Sequence, residues 1–142
     1  MKLIVVATDG STGGNKAVDY SSNLAKALDY PLIILTVCGE HEYRALEKTS
    51  SQKHTIAEEV DQFANQILIS SKARAEEIIG KPVRIEMRWG DPASEILRTA
   101  EETKCEILVL GRRGRGLIKN LLIGSVSQKI VSLAPCATVV IP

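Results

Sequence analysis

Five short apolar runs recur along the chain, and longer segments of mixed polarity separate them. Three of these runs are nearly continuous in apolar residues, which is typical of parallel strands that are covered on both faces. The run VRIEMRW alternates instead, and this pattern predicts a half-exposed strand near an edge of the sheet. The predicted strands are Leu3–Thr8, Leu32–Val37, Val83–Trp89, Ile107–Leu110 and Ala137–Ile141.

The intervening segments carry apolar residues at helical spacing. In the stretch DPASEIL, Asp91 can cap a helix and Pro92 suits its first turn. Pro135 ends the last helix, because the residue before a proline avoids helical backbone angles. The predicted helices are Asn15–Leu28, Thr55–Ile79, Asp91–Thr103 and Ser125–Leu133.

Strands and helices alternate along the whole chain, and this order predicts one α/β domain over residues 1–142. Alternating elements favour a single parallel sheet with right-handed crossovers and helices on both faces. The polar stretch Gly39–His54 has no clear period, so we expect a long loop there. Loops of that length in a compact domain are often functional.

Charge and composition restrict the classes of partner. The net charge is +1, so no overall attraction to nucleic acid or membrane is expected, and any electrostatic effect must be local. No apolar run approaches the roughly 18 residues of a membrane span. We expect a cytoplasmic protein with no nucleic-acid or membrane partner.

Cysteine and histidine spacing gives no sign of a metal or redox site. Cys38, Cys105 and Cys136 lack C-x-x-C spacing, which favours buried free thiols in a reducing compartment. His41 and His54 match no metal-site spacing, so we expect them to be solvated.

The stretch GRRGRGLIKNLLIGS follows the fourth predicted strand and combines four glycines with four basic residues. Glycine lets backbone N–H groups approach an anion closely, and a helix start adds unpaired N–H groups. The stretch fits neither the Walker pattern nor G-x-G-x-x-G. Its chemistry favours an anion-binding loop of unknown ligand, and a solvated basic turn stays open as the alternative. The basic residues are Arg112, Arg113, Arg115 and Lys119.

The glycine spacing resembles a known loop. Gly111-x2-Gly114-x9-Gly124-Ser125 matches the G-x2-G-x9-G-[ST] phosphate loop of the ATP-binding branch of the universal stress protein family. The resemblance covers essentially the whole chain, since IVVATDGS, GDPASEIL and APCATVVIP are also similar to family segments.

This resemblance implies an open five-stranded parallel sheet of order 3-2-1-4-5. Such a sheet is Rossmann-like, of the adenine nucleotide alpha hydrolase type, and the resemblance also implies a homodimer through the last strand. Strands one and four would then be neighbours whose crossovers diverge, which creates a crevice at their carboxyl ends.

The resemblance also implies a set of nucleotide contacts. Residues similar to the family's adenine and ribose contacts are Ala7, Thr8, Asp9 and Val37. Residues similar to its phosphate contacts are Gly111, Gly114, Gly124, Ser125 and Val126, to which we add Arg112 for its charge. A divalent ion, Mg²⁺ or Mn²⁺, would be held through the phosphates without side-chain ligands.

Alternatives stay open for three of these residues. Asp9 is either a turn aspartate in Asp-Gly-Ser or a hydrogen-bond acceptor for the nucleotide. Ser125 can cap the last helix, contact a phosphate, or do both. Arg112 and the arginines after it either hold phosphate or face water.

The sequence thus predicts an ATP-binding universal stress protein that acts as a nucleotide-dependent stress-response regulator or switch. No general base is identifiable, so no catalytic residue is assigned and slow ATP hydrolysis is the most we expect. A weak ATP hydrolase or phosphotransferase on the same site, and a protein-interaction module without nucleotide, are the alternatives.

Overall fold

The computed structural model describes residues 2–39, 56–112 and 124–142. Within these ranges, five parallel strands form one sheet of order β3-β2-β1-β4-β5, which confirms the predicted fold class and strand order. The strands are β1 Ile4–Ala7, β2 Leu32–Cys38, β3 Arg84–Trp89, β4 Ile107–Gly111 and β5 Ala137–Ile141. The helices are α1 Thr12–Leu28, α2 Ile56–Ile79, α3 Pro92–Thr103 and α4 Ser125–Leu133.

The core lies on both faces of the sheet, as the continuous apolar runs predict. Ile4 and Val6 of β1 face α1 and α2, while Val5 and Ala7 face α3 and α4. Every residue of β1 is buried, and each large apolar side chain buried in this way contributes about 1.5–3 kcal/mol. The two faces therefore hold β1 at the centre of the molecule.

The two edges of the sheet differ in charge. On β3, Glu86 and Arg88 form an ion pair at 3.0 Å, and Arg88 also reaches Glu102 of α3 at 2.5 Å. Hydrogen bonding to Glu102 is the main reason that the pKa of Arg88 is raised. The alternating run VRIEMRW is thus a half-exposed edge strand, as predicted. The opposite edge, β5, has the uncharged sequence ATVVI.

The first helix begins three residues earlier than its sequence predicts. We expected Asn15, but α1 starts at Thr12 and is capped by Ser11, whose hydroxyl accepts a hydrogen bond from the Gly14 N–H at 3.1 Å. Glycine disfavours helix interiors, so the Gly13-Gly14 pair hid this first turn from a periodicity argument.

None of the helices in the described ranges is long and apolar enough to cross a membrane. The predicted loop Gly39–His54 lies outside those ranges except for Gly39.

Candidate functional site

The carboxyl ends of three neighbouring strands, β1, β2 and β4, lie at the same end of the sheet. Ala7 pairs with Leu35 of β2 and with Leu110 of β4, so β1 and β4 end within one residue of each other, while β2 continues beyond them to Cys38. After β1 the chain enters α1 on one face, and after β4 it leads to α4 on the other. The carboxyl ends of β1 and β4 therefore form a topological switch point, the usual ligand crevice of such a sheet.

The turn after β1 is held rigidly in this crevice. Thr8 is buried; its N–H donates to the Leu35 carbonyl at 2.9 Å, and the Thr36 hydroxyl donates to the Thr8 carbonyl at 2.5 Å. Gly10, at φ 76°, donates its N–H to the Thr8 hydroxyl at 3.2 Å. This turn fixes the direction in which the next side chains point.

Asp9 serves the turn itself. Its Oδ1 accepts a hydrogen bond from the Ser11 N–H at 2.9 Å, so the turn-aspartate interpretation is correct. That bond also orients the Asp9 side chain at the carboxyl ends of the strands. A contact between Asp9 and a nucleotide stays a prediction.

Asp9 also lines a cleft between the end of β2 and helix α2. The cleft has a volume of about 10 Å³. A volume of this size holds about one water molecule, so the cleft itself is too small for a nucleotide base. The lining residues are Asp9, Thr36, Val37, Cys38, Val60, Phe63, Ala64 and Ile67.

The ends of the glycine-rich stretch are fixed to the sheet. Arg112 continues β4 by donating its N–H to the Ile141 carbonyl at 2.6 Å, and its own carbonyl accepts from the Gly124 N–H at 2.8 Å. One hydrogen bond thus closes the connection that begins after Arg112 and ends at Gly124. Gly114, Arg113, Arg115 and Lys119 lie outside the described residues.

Helix α4 starts without a side-chain cap. Gly124 is its N-cap, at φ −73° and ψ 162°, and Ser125 is its exposed first residue. Of the alternatives for Ser125, helix capping is therefore excluded, because the extended residue before the helix is Gly124, and a phosphate contact stays a prediction. In contrast, Ser11 caps α1 and Asp91 caps α3. The first N–H groups of α4 point out of the helix start and are suited to an anion.

Ser127 is a residue that our sequence analysis missed. It is 3% exposed, and its hydroxyl donates to the Gly111 carbonyl at 2.7 Å. This bond joins α4 to the end of β4, so it fixes the distance between the two ends of the glycine-rich connection. A signal was present, since Ser127 lies three residues before the buried Ile130 and hence on the inner face of the helix.

We expect Ser127→Ala to lower the free energy of unfolding by about 1–3 kcal/mol, because it leaves the Gly111 carbonyl without its buried donor. Ser132→Ala is the matched control, since the exposed Ser132 bonds only within α4, to the Gln128 carbonyl. It should change stability by less than about 0.5 kcal/mol. Urea unfolding followed by circular dichroism measures both, and equal effects would contradict the tie to β4.

Arg112 carries an unsatisfied donor at the same place. Its Nε is buried and has no hydrogen-bond partner among the described residues. A buried donor left unpaired costs about 1–3 kcal/mol, so such groups usually have an ion, water or ligand partner. An anion at the start of α4 would satisfy it.

The start of α3 lies beside α4 at the same end of the sheet. Asp91 accepts hydrogen bonds from the Ser94 hydroxyl at 2.8 Å and from the Ser94 N–H at 3.0 Å. These bonds lower the pKa of Asp91, and Lys129 of α4, at 4.0 Å, adds a smaller electrostatic effect. This ion pair ties the start of α3 to the middle of α4.

Three other predicted contact residues share one apolar cluster. Ala7 is buried in it, and Val37 and Val126 pack against it on the face of α3 and α4. Ala7 and Val37 lie at the carboxyl ends of β1 and β2, and Val126 lies in the first turn of α4.

Protein ligands for a metal are not grouped in this region. No three His, Cys, Asp or Glu side chains come together as metal ligands within residues 2–39, 56–112 and 124–142. His41 and His54 fall outside these ranges.

Comparison with protein families gives a match over residues 1–142 to the universal stress protein family. The chain is 35% identical over 150 residues to the universal stress protein YxiE of Bacillus subtilis, covering 97% of each chain. It is 31% identical over 140 residues to a universal stress protein of Methanocaldococcus jannaschii, covering 99% of this chain and 81% of the relative.

Solved structures share the fold. UspA of Lactobacillus plantarum has a TM-score of 0.83 at 22% identity, covering 99% of this chain and 97% of its own. A universal stress protein in complex with cAMP has a TM-score of 0.71 at 24% identity, covering 99% and 95%. The Archaeoglobus fulgidus protein in complex with dAMP has a TM-score of 0.64 at 18% identity, covering 100% and 98%.

Proposed function

Because the chain belongs to the universal stress protein family, we propose that it binds an adenine nucleotide, ATP, between the carboxyl ends of β1 and β4. The observation that carries this proposal is the uncapped start of α4 beside the unpaired, buried Nε of Arg112. An anion in the crevice would satisfy both features. Structural neighbours in complex with cAMP and dAMP support the phosphate of an adenine nucleotide as this anion.

The phosphates of the nucleotide lie at the glycine-rich end of this site. Backbone N–H groups of Ser125 and Val126 face them at the start of α4, Gly124 lets the phosphates come close, and the Arg112 side chain supplies positive charge. Gly111, fixed by Ser127, leaves room for the close approach, and Gly114 is the remaining predicted contact. Mg²⁺ or Mn²⁺ neutralises the phosphate charge from outside the protein.

The base and ribose take the other side of the crevice. Ala7 and Thr8 form its floor, Val37 supplies an apolar contact, and the Asp9 carboxylate accepts a hydrogen bond from the nucleotide. Since the Ser11 N–H holds Asp9 in place, the acceptor is oriented before the ligand arrives.

We propose that ATP acts as a ligand that shifts conformational populations, as in a stress-response regulator. The uncharged β5 edge is a suitable surface for a homodimer, because unpaired edge strands invite pairing. Val131 and Leu133 on α4 are 52% and 59% exposed and add apolar area on the adjoining helix. The function proposed here is that of a cytoplasmic nucleotide-dependent switch.

Calorimetric titration of nucleotide-free protein with ATP and Mg²⁺ tests the proposal. The wild type should bind saturably, and the Gly114→Val, Gly124→Val double variant should lose at least about 100-fold in affinity, because the added side chains fill the phosphate cradle. Ser132→Val, at the far end of α4, is the control and should bind like the wild type.

Circular dichroism must show that the double variant is folded. Absence of binding in the wild type, or equal affinity of the folded double variant, would refute an ATP site at the glycine-rich connection.

A further inference from the structure

Two cysteines that are far apart in sequence are in contact. Cys105 precedes β4 and Cys136 precedes β5, and their sulfur atoms lie 3.6 Å apart. Both thiols are free, and both belong to the apolar cluster beneath α3 and α4. Their spacing in the sequence gives no sign of this contact.

The backbone geometry suits a bond between them. Ile107 pairs with Ala137 across β4 and β5, so Cys105 and Cys136 are offset by one residue just before the paired segments. With strands about 4.8 Å apart and a rise of about 3.3 Å per residue, this offset separates the two Cα atoms by roughly 5.8 Å. Disulfides prefer about 5.5–6 Å between Cα atoms, so a side-chain rotation would bring the sulfurs to bonding distance.

We propose that Cys105 and Cys136 form a peroxide-oxidisable dithiol that closes to an intramolecular disulfide. Hydrogen peroxide or an organic hydroperoxide is the oxidant. One sulfur takes an oxygen atom from the peroxide and becomes a sulfenic acid, releasing water or an alcohol. The second thiol then attacks that sulfur, displaces its oxygen as water and gives up its proton. The two thiols lose two electrons in total, and the peroxide gains them.

The order of the two steps follows from exposure. Cys136 is half-buried and meets the oxidant first, whereas Cys105 is buried and serves as the resolving thiol. Burial, and secondarily the neighbouring Cys136, raises the pKa of Cys105 to about 12. Since the thiolate is the attacking form, closure should accelerate as pH rises.

The disulfide would act on the part of the chain that the two cysteines enclose. That part contains β4, α4 and the connection between them. Cross-linking restricts the unfolded chain more than the folded one, so the oxidised protein should be more stable. The pair lies at the amino ends of the strands, opposite the proposed nucleotide site, and the proposal does not depend on nucleotide binding.

Mass spectrometry of the intact, reduced protein after peroxide treatment tests the proposal. The wild type and a Cys38→Ser control should each lose two hydrogen atoms, and protease digestion should yield one cross-linked peptide pair containing Cys105 and Cys136. Cys105→Ser should instead accumulate a sulfenic acid on Cys136, which dimedone traps. The cross-linking rate should rise between about pH 7 and pH 9.

The melting temperature of the oxidised wild type should rise by about 5–10 °C and return after dithiothreitol. Oxygen addition to Cys136 without loss of two hydrogens would overturn the proposal, as would a cross-link between two chains. The wild-type mass decides the question even if a serine variant fails to fold.

Discussion

Gly14→Val should lower the free energy of unfolding by about 2–3 kcal/mol and weaken nucleotide binding at the same time. A Cβ atom at this position would lie 2.5 Å from the Thr8 hydroxyl oxygen and 2.9 Å from Asp9 Oδ1. Overpacking of this kind costs about 1–3 kcal/mol, and valine adds a second branch at the point of contact.

The neighbouring atoms have little freedom to move away. Thr8 is fixed through its N–H, its carbonyl and its hydroxyl, and the backbone nitrogen of Asp9 lies 3.2 Å from the added atom. The start of α1 must therefore shift, which moves Asp9 out of the proposed binding position.

Asn15→Val is the matched control, because Asn15 is exposed on the same turn of α1. It should cost only a few tenths of a kcal/mol through helix propensity. Thermal unfolding with and without ATP measures both effects. A Gly14→Val protein as stable as the control would show that the turn after β1 is not closely packed.

Ser125→Asp should weaken ATP binding by on the order of 100-fold while leaving the fold intact or slightly more stable. Ser125 is the exposed first residue of α4. A carboxylate in the first turn interacts favourably with the helix dipole, by about 0.3–1 kcal/mol, so stability should not fall. The added carboxylate would lie where the phosphates are proposed to bind, and it would repel their negative charge.

Ser125→Asn separates the effect of charge from the effect of size, because asparagine has nearly the same shape as aspartate but carries no charge. The Ser125→Asn protein should bind ATP with an affinity within about tenfold of that of the wild type. Calorimetry gives the affinities and thermal melts give the stabilities. If the aspartate and asparagine variants bound ATP equally well, the phosphates would not lie at the start of α4.

Sequence patterns were sufficient to locate the strands. The predicted strand bounds agree with the structure to within one residue, because buried parallel strands leave unmistakable apolar runs such as LIILTV. The strand order needed the resemblance of the glycine spacing, since periodicity does not say which strands are neighbours.

Contacts that depend on three-dimensional closeness could not be predicted. Ser127 reaches Gly111 only because α4 folds back beside β4, and the sulfurs of Cys105 and Cys136 meet only because their strands are adjacent. The early start of α1 escaped prediction because Gly14 is there for close packing against Thr8, which propensity scales penalise.

The hydrogen bond from Gly124 to Arg112 has an evolutionary consequence. It fixes both ends of the connection, residues 113–123, at one separation whatever that connection contains. The entropy of closing such a segment changes slowly with length, and a doubling costs only about 0.6 kcal/mol. Insertions and deletions there would leave the sheet nearly undisturbed, so the spacing between Gly114 and Gly124 is a requirement of the proposed phosphate binding and not of the fold.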